Sequence, residues 1–125
     1  MSHLSKVELE IKDLDCLKKS ISKIEGMQFV DAKTFKTYYT HHGDNVQHKI
    51  TVENCSYEIG IKTNGKSCEL LCDYWSSGGL TENHTNLIKQ KYAVEKTRKE
   101  VKAKYPTCSI IEKTVEGNIQ LTCEV

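Results

Sequence analysis

Six cysteines and five histidines are the side chains with the most chemistry to offer here, as thiolate nucleophiles, disulfide partners or metal ligands. Their spacing narrows those options. Cys16, Cys55, Cys68, Cys72, Cys108 and Cys123 include no Cys-x-x-Cys pair, so a zinc site has no nucleus. Cys68 and Cys72 belong to Cys68-Glu69-Leu70-Leu71-Cys72, which reads as a strand. Four residues of strand at ~3.3 Å each separate them by about 13 Å, beyond the Cα separation of about 7 Å that a disulfide tolerates. On a helix the same spacing would bring the two thiols together. The even count also fits a disulfide framework. With no export signal expected, the reading is of reduced thiols packed as small apolar groups, with disulfide and metal roles as the alternatives.

The histidines behave similarly. His41, His42 and His48, with Cys55 further along, form the densest set of nitrogen and sulfur ligands. Neighbouring His41 and His42 point to opposite faces of an extended backbone, so at most one joins His48, and no metal is assigned. His3 reads as a hydrogen-bonding edge residue rather than a proton shuttle. Paired acids at Asp13/Asp15 and Glu8/Glu10 are explained by helix capping and a solvent face. There is no glycine-rich phosphate loop, nucleophile elbow or metalloprotease motif. A cysteine–histidine enzyme is the weakest of the functional readings, because the cysteines fall mainly on faces read as buried, where a thiolate is disfavoured.

Charge is a stronger signal. Between Thr81 and Lys104 the chain carries Lys89, Lys91, Lys96, Arg98, Lys99, Lys102 and Lys104 against Glu82, Glu95 and Glu100, a local excess of four in a chain whose net charge is +1. A basic helix can dock on an acidic protein surface or follow a phosphate backbone, although such a stripe is most often a solvated face. Arg98 is the single arginine among 18 basic residues, which disfavours nucleic acid, since bidentate phosphate and guanine recognition prefers arginine. Lys91, Arg98 and Lys102 are therefore candidate partner-binding residues. Tyr74 and Trp75, just before Ser76-Ser77-Gly78-Gly79, are candidate contact aromatics, with packing of a hairpin end as the plainer alternative.

Several elements must position these groups. Lys6 to Lys12 alternates apolar Val7, Leu9 and Ile11 with charge, as a half-buried strand does. Asp13 or Asp15 can cap a helix with Leu14, Leu17, Ile21 and Ile24 on one stripe and Gly26 as its stop. Extended stretches follow at Met27 to Phe35 and Thr34 to Thr40, then at His48 to Glu53 after a loop. Asn64-Gly65 predicts a two-residue type I′ turn that sets Ile61 against Cys68, Ile59 against Leu70 and Tyr57 against Cys72. A second helix spans about Thr81 to Lys104 and ends at Tyr105-Pro106. Cys108 to Val125 reads as a second hairpin around Glu116-Gly117-Asn118, with Cys108, Ile110, Ile119, Leu121, Cys123 and Val125 on its buried face. The expected fold is α+β: a mainly antiparallel sheet built from hairpins, with two helices packed on one side.

The 125 residues suit one domain, 1–125, able to fold without cross-links or metal. With 38% hydrophobic and 28% charged residues, disorder, collagen and coiled coil are excluded. Apolar runs such as Leu70-Leu71 fall far short of the ~20 residues of a membrane span. Met1-Ser2-His3-Leu4-Ser5-Lys6 leads straight into alternating charge, so no signal peptide and a cytoplasmic location are expected.

Met1-Ser2-His3-Leu4-Ser5, Tyr57-Glu58-Ile59-Gly60 with Asn64-Gly65-Lys66 and Glu69-Leu70, Asp73-Tyr74-Trp75, and Gln90-Lys91-Tyr92-Ala93 form an ordered set across nearly the whole chain. Together they resemble the conserved hypothetical chloroplast reading frame 35 family, or domain of unknown function 1257, of plastids, cyanobacteria and other bacteria. The resemblance implies an adaptor or accessory subunit with a protein partner, an AAA-type ATPase; no cofactor is expected. A nucleic-acid-binding domain using the same lysines, and a small thiol- or histidine-dependent enzyme, are the alternative readings.

Overall fold

The computed structural model describes residues 4–11, 13–37, 46–65, 67–74 and 78–124; for residues 4–11 and Asn64 the description is of backbone alone. The chain runs β1 (Leu4–Ile11), α1 (Leu14–Ser22), β2 (Met27–Asp31), β3 (His48–Val52), β4 (Ile59–Asn64), β5 (Ser67–Asp73), α2 (Glu82–Lys104), β6 (Ser109–Val115) and β7 (Asn118–Glu124). Strands β1 to β5 form an antiparallel sheet in the order β1-β5-β4-β3-β2, and β6 and β7 form a separate two-stranded ribbon. This is the expected α+β architecture, with seven strands.

Period-2 alternation sorts the sheet into two faces. Met27, Phe29, Ile50, Ile59, Ile61, Cys68, Leu70 and Cys72 share one face with Leu17 and Ile21 of α1 and Ile88 and Tyr92 of α2, forming the main core. Leu17, Ile21, Ile50, Ile59, Ile61, Leu70 and Ile88 are wholly buried. Each such side chain contributes about 1.5–3 kcal/mol relative to leaving it in water. Both helices thus lie on one side.

The opposite face has a small core of its own. Phe35, Val46 and Leu71 cluster there, brought in by the chain between β2 and β3. The Phe35 ring lies over Gly60, where an added Cβ would come within 2.4 Å of it. A glycine inside a strand often marks such a close approach. The expected strand from Met27 therefore stops at Asp31, because Phe35 is drawn under the sheet instead of continuing the ladder.

The β4–β5 turn differs by one residue from the sequence expectation. Asn64 pairs with Ser67, Thr63 with Cys68 and Ile61 with Leu70, so the reversal begins at Gly65, whose φ of +66° supplies the left-handed conformation. Moving the turn by one residue changes partners by two positions. The apolar face is preserved, which is why alternation alone could not select the register. The ribbon turn does have the two-residue form: Val115 pairs with Asn118 around Glu116 (φ +50°) and Gly117 (φ +80°).

Asp13 caps α1, its Oδ1 accepting from the Cys16 N–H at 3.1 Å. Thr81 caps α2, with its N–H donating to His84 Nδ1 at 3.0 Å. Among the described residues no helix is long and apolar enough to cross a membrane.

A charged cleft between the two helices and the ribbon

The buried side chains of α2 end at Glu95. From Lys96 to Lys104 its side chains are half-buried or exposed, and the ribbon lies alongside them. The attachments run from Gln90 to Lys102. Gln90 Nε2 donates to the Gly117 carbonyl at 3.1 Å, Arg98 Nη2 to Glu112 Oε2 at 3.1 Å, and Lys102 Nζ to the Cys108 carbonyl. The expected apolar ribbon face exists in register, since Ile110 stands opposite Cys123 and Glu112 opposite Leu121. Of the described members of that set only Cys108 is buried, however; Ile110, Ile119 and Leu121 are half-buried and Cys123 is exposed, because one helix is too narrow to cover the ribbon, and Val125 lies outside the described residues.

Where α1, α2 and β6 meet there is a cleft of about 520 Å³ lined by Asp15, Cys16, Lys19, Lys23, Glu95, Arg98, Lys99, Lys102 and Ile110. Five cations thus face two carboxylates. Lys23 and Arg98 share Glu95, whose side chain is 6% exposed, the arginine Nε lying 4.0 Å away. Lys99 pairs with Asp13, which Lys96 approaches at 3.8 Å from the helix surface. The Lys99 ammonium, and then the Cys16 N–H, hold the Asp13 carboxyl at about 2, while Asp13 raises the pKa of Lys99. Lys19 has no carboxylate partner among the described residues, and Lys102 is held by a carbonyl, which leaves its charge unbalanced.

The sequence candidates separate on this framework. Arg98 and Lys102 line the cleft; Lys91 lies on the same helical stripe, seven and eleven residues earlier, without reaching it. Both cleft residues also tie down the ribbon, so reversing Lys91, Arg98 and Lys102 together would disturb the fold as well as any docking. Tyr74 stands elsewhere. Its hydroxyl lies 3.0 Å from that of Thr85 near the start of α2, thirteen helical residues from Arg98, or about 20 Å. Trp75, His3, His41 and His42 lie outside the described residues. Lys19 and Lys23 were missed, since only tertiary packing places α1 lysines beside α2.

The nearest approach to a cysteine–histidine pair is Cys55 Sγ and His84 Nε2, at 3.9 Å. Thr81 donates to His84 Nδ1, so a neutral ring carries its proton on Nε2 and turns an N–H toward the sulfur. Burial pushes the Cys55 thiol upward, the wrong direction for a nucleophile. Cys16, Cys68 and Cys72 are raised by burial too, Cys72 to about 12. Cys68 and Cys72 both lie on β5, as the strand reading required. No cluster of three or more His, Cys, Asp or Glu suited to a metal occurs among the described residues.

Comparison with known proteins places this chain in a family. Residues 23–122 match the model described as "Protein of unknown function (DUF1257)". The chain is 30% identical over 95 residues to an "Uncharacterized protein ycf35" of Guillardia theta, covering 74% of this chain and 73% of that one. No solved structure matches.

Proposed function

The chain belongs to the DUF1257 family, and on that premise we propose that it is a non-catalytic accessory protein whose cleft between α1, α2 and β6 receives an acidic segment of a protein partner. The observation that carries this reading is the pair of unbalanced cations on facing walls, Lys19 from α1 and Lys102 from α2. An extended peptide with two or three carboxylates can bridge them, while Ile110 offers an apolar contact at the β6 wall. Because Lys23, Arg98 and Lys99 are already occupied by internal carboxylates, the interaction is electrostatic and transient, suited to an adaptor. The AAA-type ATPase implied by the family resemblance is the partner to look for first.

Nucleic acid fits less well. Arg98 Nη2 is held by Glu112 and the buried Nε stands 4.0 Å from Glu95, so the chain's one arginine does not present its fork to a phosphate in solvent. Cysteine–histidine catalysis at Cys55 and His84 is disfavoured, because burial raises the Cys55 thiol. The test is affinity capture of the tagged chain from its native extract at low and high salt, with nuclease, beside Lys19→Glu. A nuclease-resistant partner captured at low salt and lost from Lys19→Glu is expected. Capture that vanishes with nuclease, or that ignores the charge reversal, would overturn the proposal.

A further inference from the structure

The two strands of the ribbon have different outer edges. Val115 and Asn118 close a two-residue turn, and residues in that position exchange both ladder hydrogen bonds. Alternation then points the N–H and C=O groups of Gln120, Thr122 and Glu124 toward β6, and those of Ile119, Leu121 and Cys123 outward. On β6, Arg98 holds Glu112 and Lys102 holds the carbonyl of Cys108 just before the strand. The β7 edge is open: every residue from Asn118 to Glu124 is exposed or half-buried, and no described strand pairs beyond it. It also carries no charge from Asn118 to Cys123. The edges of the main sheet are blunted in the usual ways, by charge, irregularity or brevity. Strand β1 contains Lys6, Glu8 and Glu10 and a register shift after Leu9. Strand β2 has five residues, ends on Asp31 paired with His48, and has its Met27 N–H taken by the Ile24 carbonyl.

We propose that β7 pairs antiparallel with β7 of a second copy of this chain, about a two-fold axis at Leu121. Leu121 then faces its own copy and Ile119 faces Cys123 of the other chain, so each outward N–H and C=O of these residues finds a partner. The side chains match in the same register. On the α2 side, Ile119, Leu121 and Cys123 of both chains join into one apolar strip, extending a face that α2 only half covers. On the solvent side Gln120 meets Thr122 and Asn118 meets Glu124, pairs that can hydrogen-bond and oppose no like charges. A slip of two residues toward the turn would leave Cys123 opposite Gly117, beyond the strand. The same construction on β6 would set Glu112 against Glu112, which selects β7 as the seam.

Pairing turns two marginal ribbons into one four-stranded sheet, past the three strands with an apolar face that independent stability requires. Ile110, which lines the cleft, belongs to β6 on the far side of each ribbon, so both clefts stay open in the dimer. The seam does not depend on what occupies the cleft.

The full chain, kept reduced, would be followed by sedimentation from roughly 1 μM to 1 mM, with amide exchange read residue by residue at both ends of the range. A dimer should grow in with concentration, and the Ile119, Leu121 and Cys123 amides, which point away from β6, should slow roughly 10-fold. Gln120→Glu with Thr122→Glu opposes like charges across the seam and should weaken the dimer roughly 10-fold. Gln120→Glu with Thr122→Lys opposes unlike charges and should restore it. Both positions are exposed on the face away from α2, and protection of their own amides at low concentration confirms that the ribbon is intact in each variant. A chain that stays monomeric throughout, protection that grows at Phe29 and Asp31 of β2 instead, or equal dimerisation of the two charge variants would each overturn the proposal.

Discussion

The five-stranded sheet and the β6–β7 ribbon are both antiparallel and both lie against α2, yet they are held by different forces. The sheet buries Ile50, Ile59, Ile61 and Leu70 completely under Leu17, Ile21 and Ile88. The ribbon buries little beyond Cys108 and is fastened by Gln90, Arg98 and Lys102. Apolar burial is cumulative and insensitive to salt, whereas exposed polar ties are each worth less than about 1 kcal/mol and weaken with ionic strength. A two-stranded ribbon is marginal by itself. The ribbon is therefore the region expected to open first, and it forms one wall of the cleft.

The largest effects should come from the sheet. Leu70→Ala, which leaves a cavity between β5 and the helices, should cost about 2–5 kcal/mol in denaturant unfolding. Ribbon and sheet should then unfold together, and a ribbon that kept its own later transition would break the contrast. Gly60→Ala comes next. Its Cβ would press on the Phe35 ring, and overpacking of this kind costs about 1–3 kcal/mol. Thermal unfolding of that variant alone and with Phe35→Leu reads the coupling; no recovery in the double variant would remove the second small core from the account.

Asp13 joins the helices through charge and gives an intermediate effect. Asp13→Asn should destabilise by about 0.5–2 kcal/mol at neutral pH by weakening the cap and the Lys99 pair. The folded-state value of about 2 lies below the ordinary 3.8, so the contribution of the carboxylate is present above the unfolded value and is lost as pH falls through about 2. The native chain and Asp13→Asn should accordingly converge in stability across that acid range. A difference independent of pH would assign the loss to packing instead. The smallest global change should come from Glu112→Gln. Less than about 1 kcal/mol of overall stability is expected to go, while amide protection falls selectively over 109–124. Uniform loss across the molecule would show that ribbon and sheet form one cooperative unit.

Elements with a strong local period were legible in the sequence. The Asp13 cap, the bounds of α2 and the alternating faces of β4 and β5 follow from side-chain spacing and backbone chemistry, whereas α1 ends at Ser22, ahead of the expected stop at Gly26. The turn register was not, because Ile61 opposite Cys68 and Ile61 opposite Leu70 place the same residues on the same face. Phe35 was read as strand because aromatics favour strands, and the signal for its true place was Gly60, twenty-five residues away. The cleft was half legible. Arg98 and Lys102 stood out by charge, but Lys19 and Lys23 join them only through the packing of α1 on α2, and the tie from Arg98 to Glu112 depends on where the ribbon turns back.

The central claim, that the α1–α2–β6 cleft takes an acidic segment, is tested most directly by titrating the isotopically labelled chain with a short glutamate-rich peptide and following amide shifts residue by residue. The account predicts saturable shifts centred on Lys19, Lys23, Lys99, Lys102 and Ile110, diminished by added salt and by Lys19→Glu. Shifts centred instead on Tyr74 and the start of α2, or none at all at low salt, would contradict it.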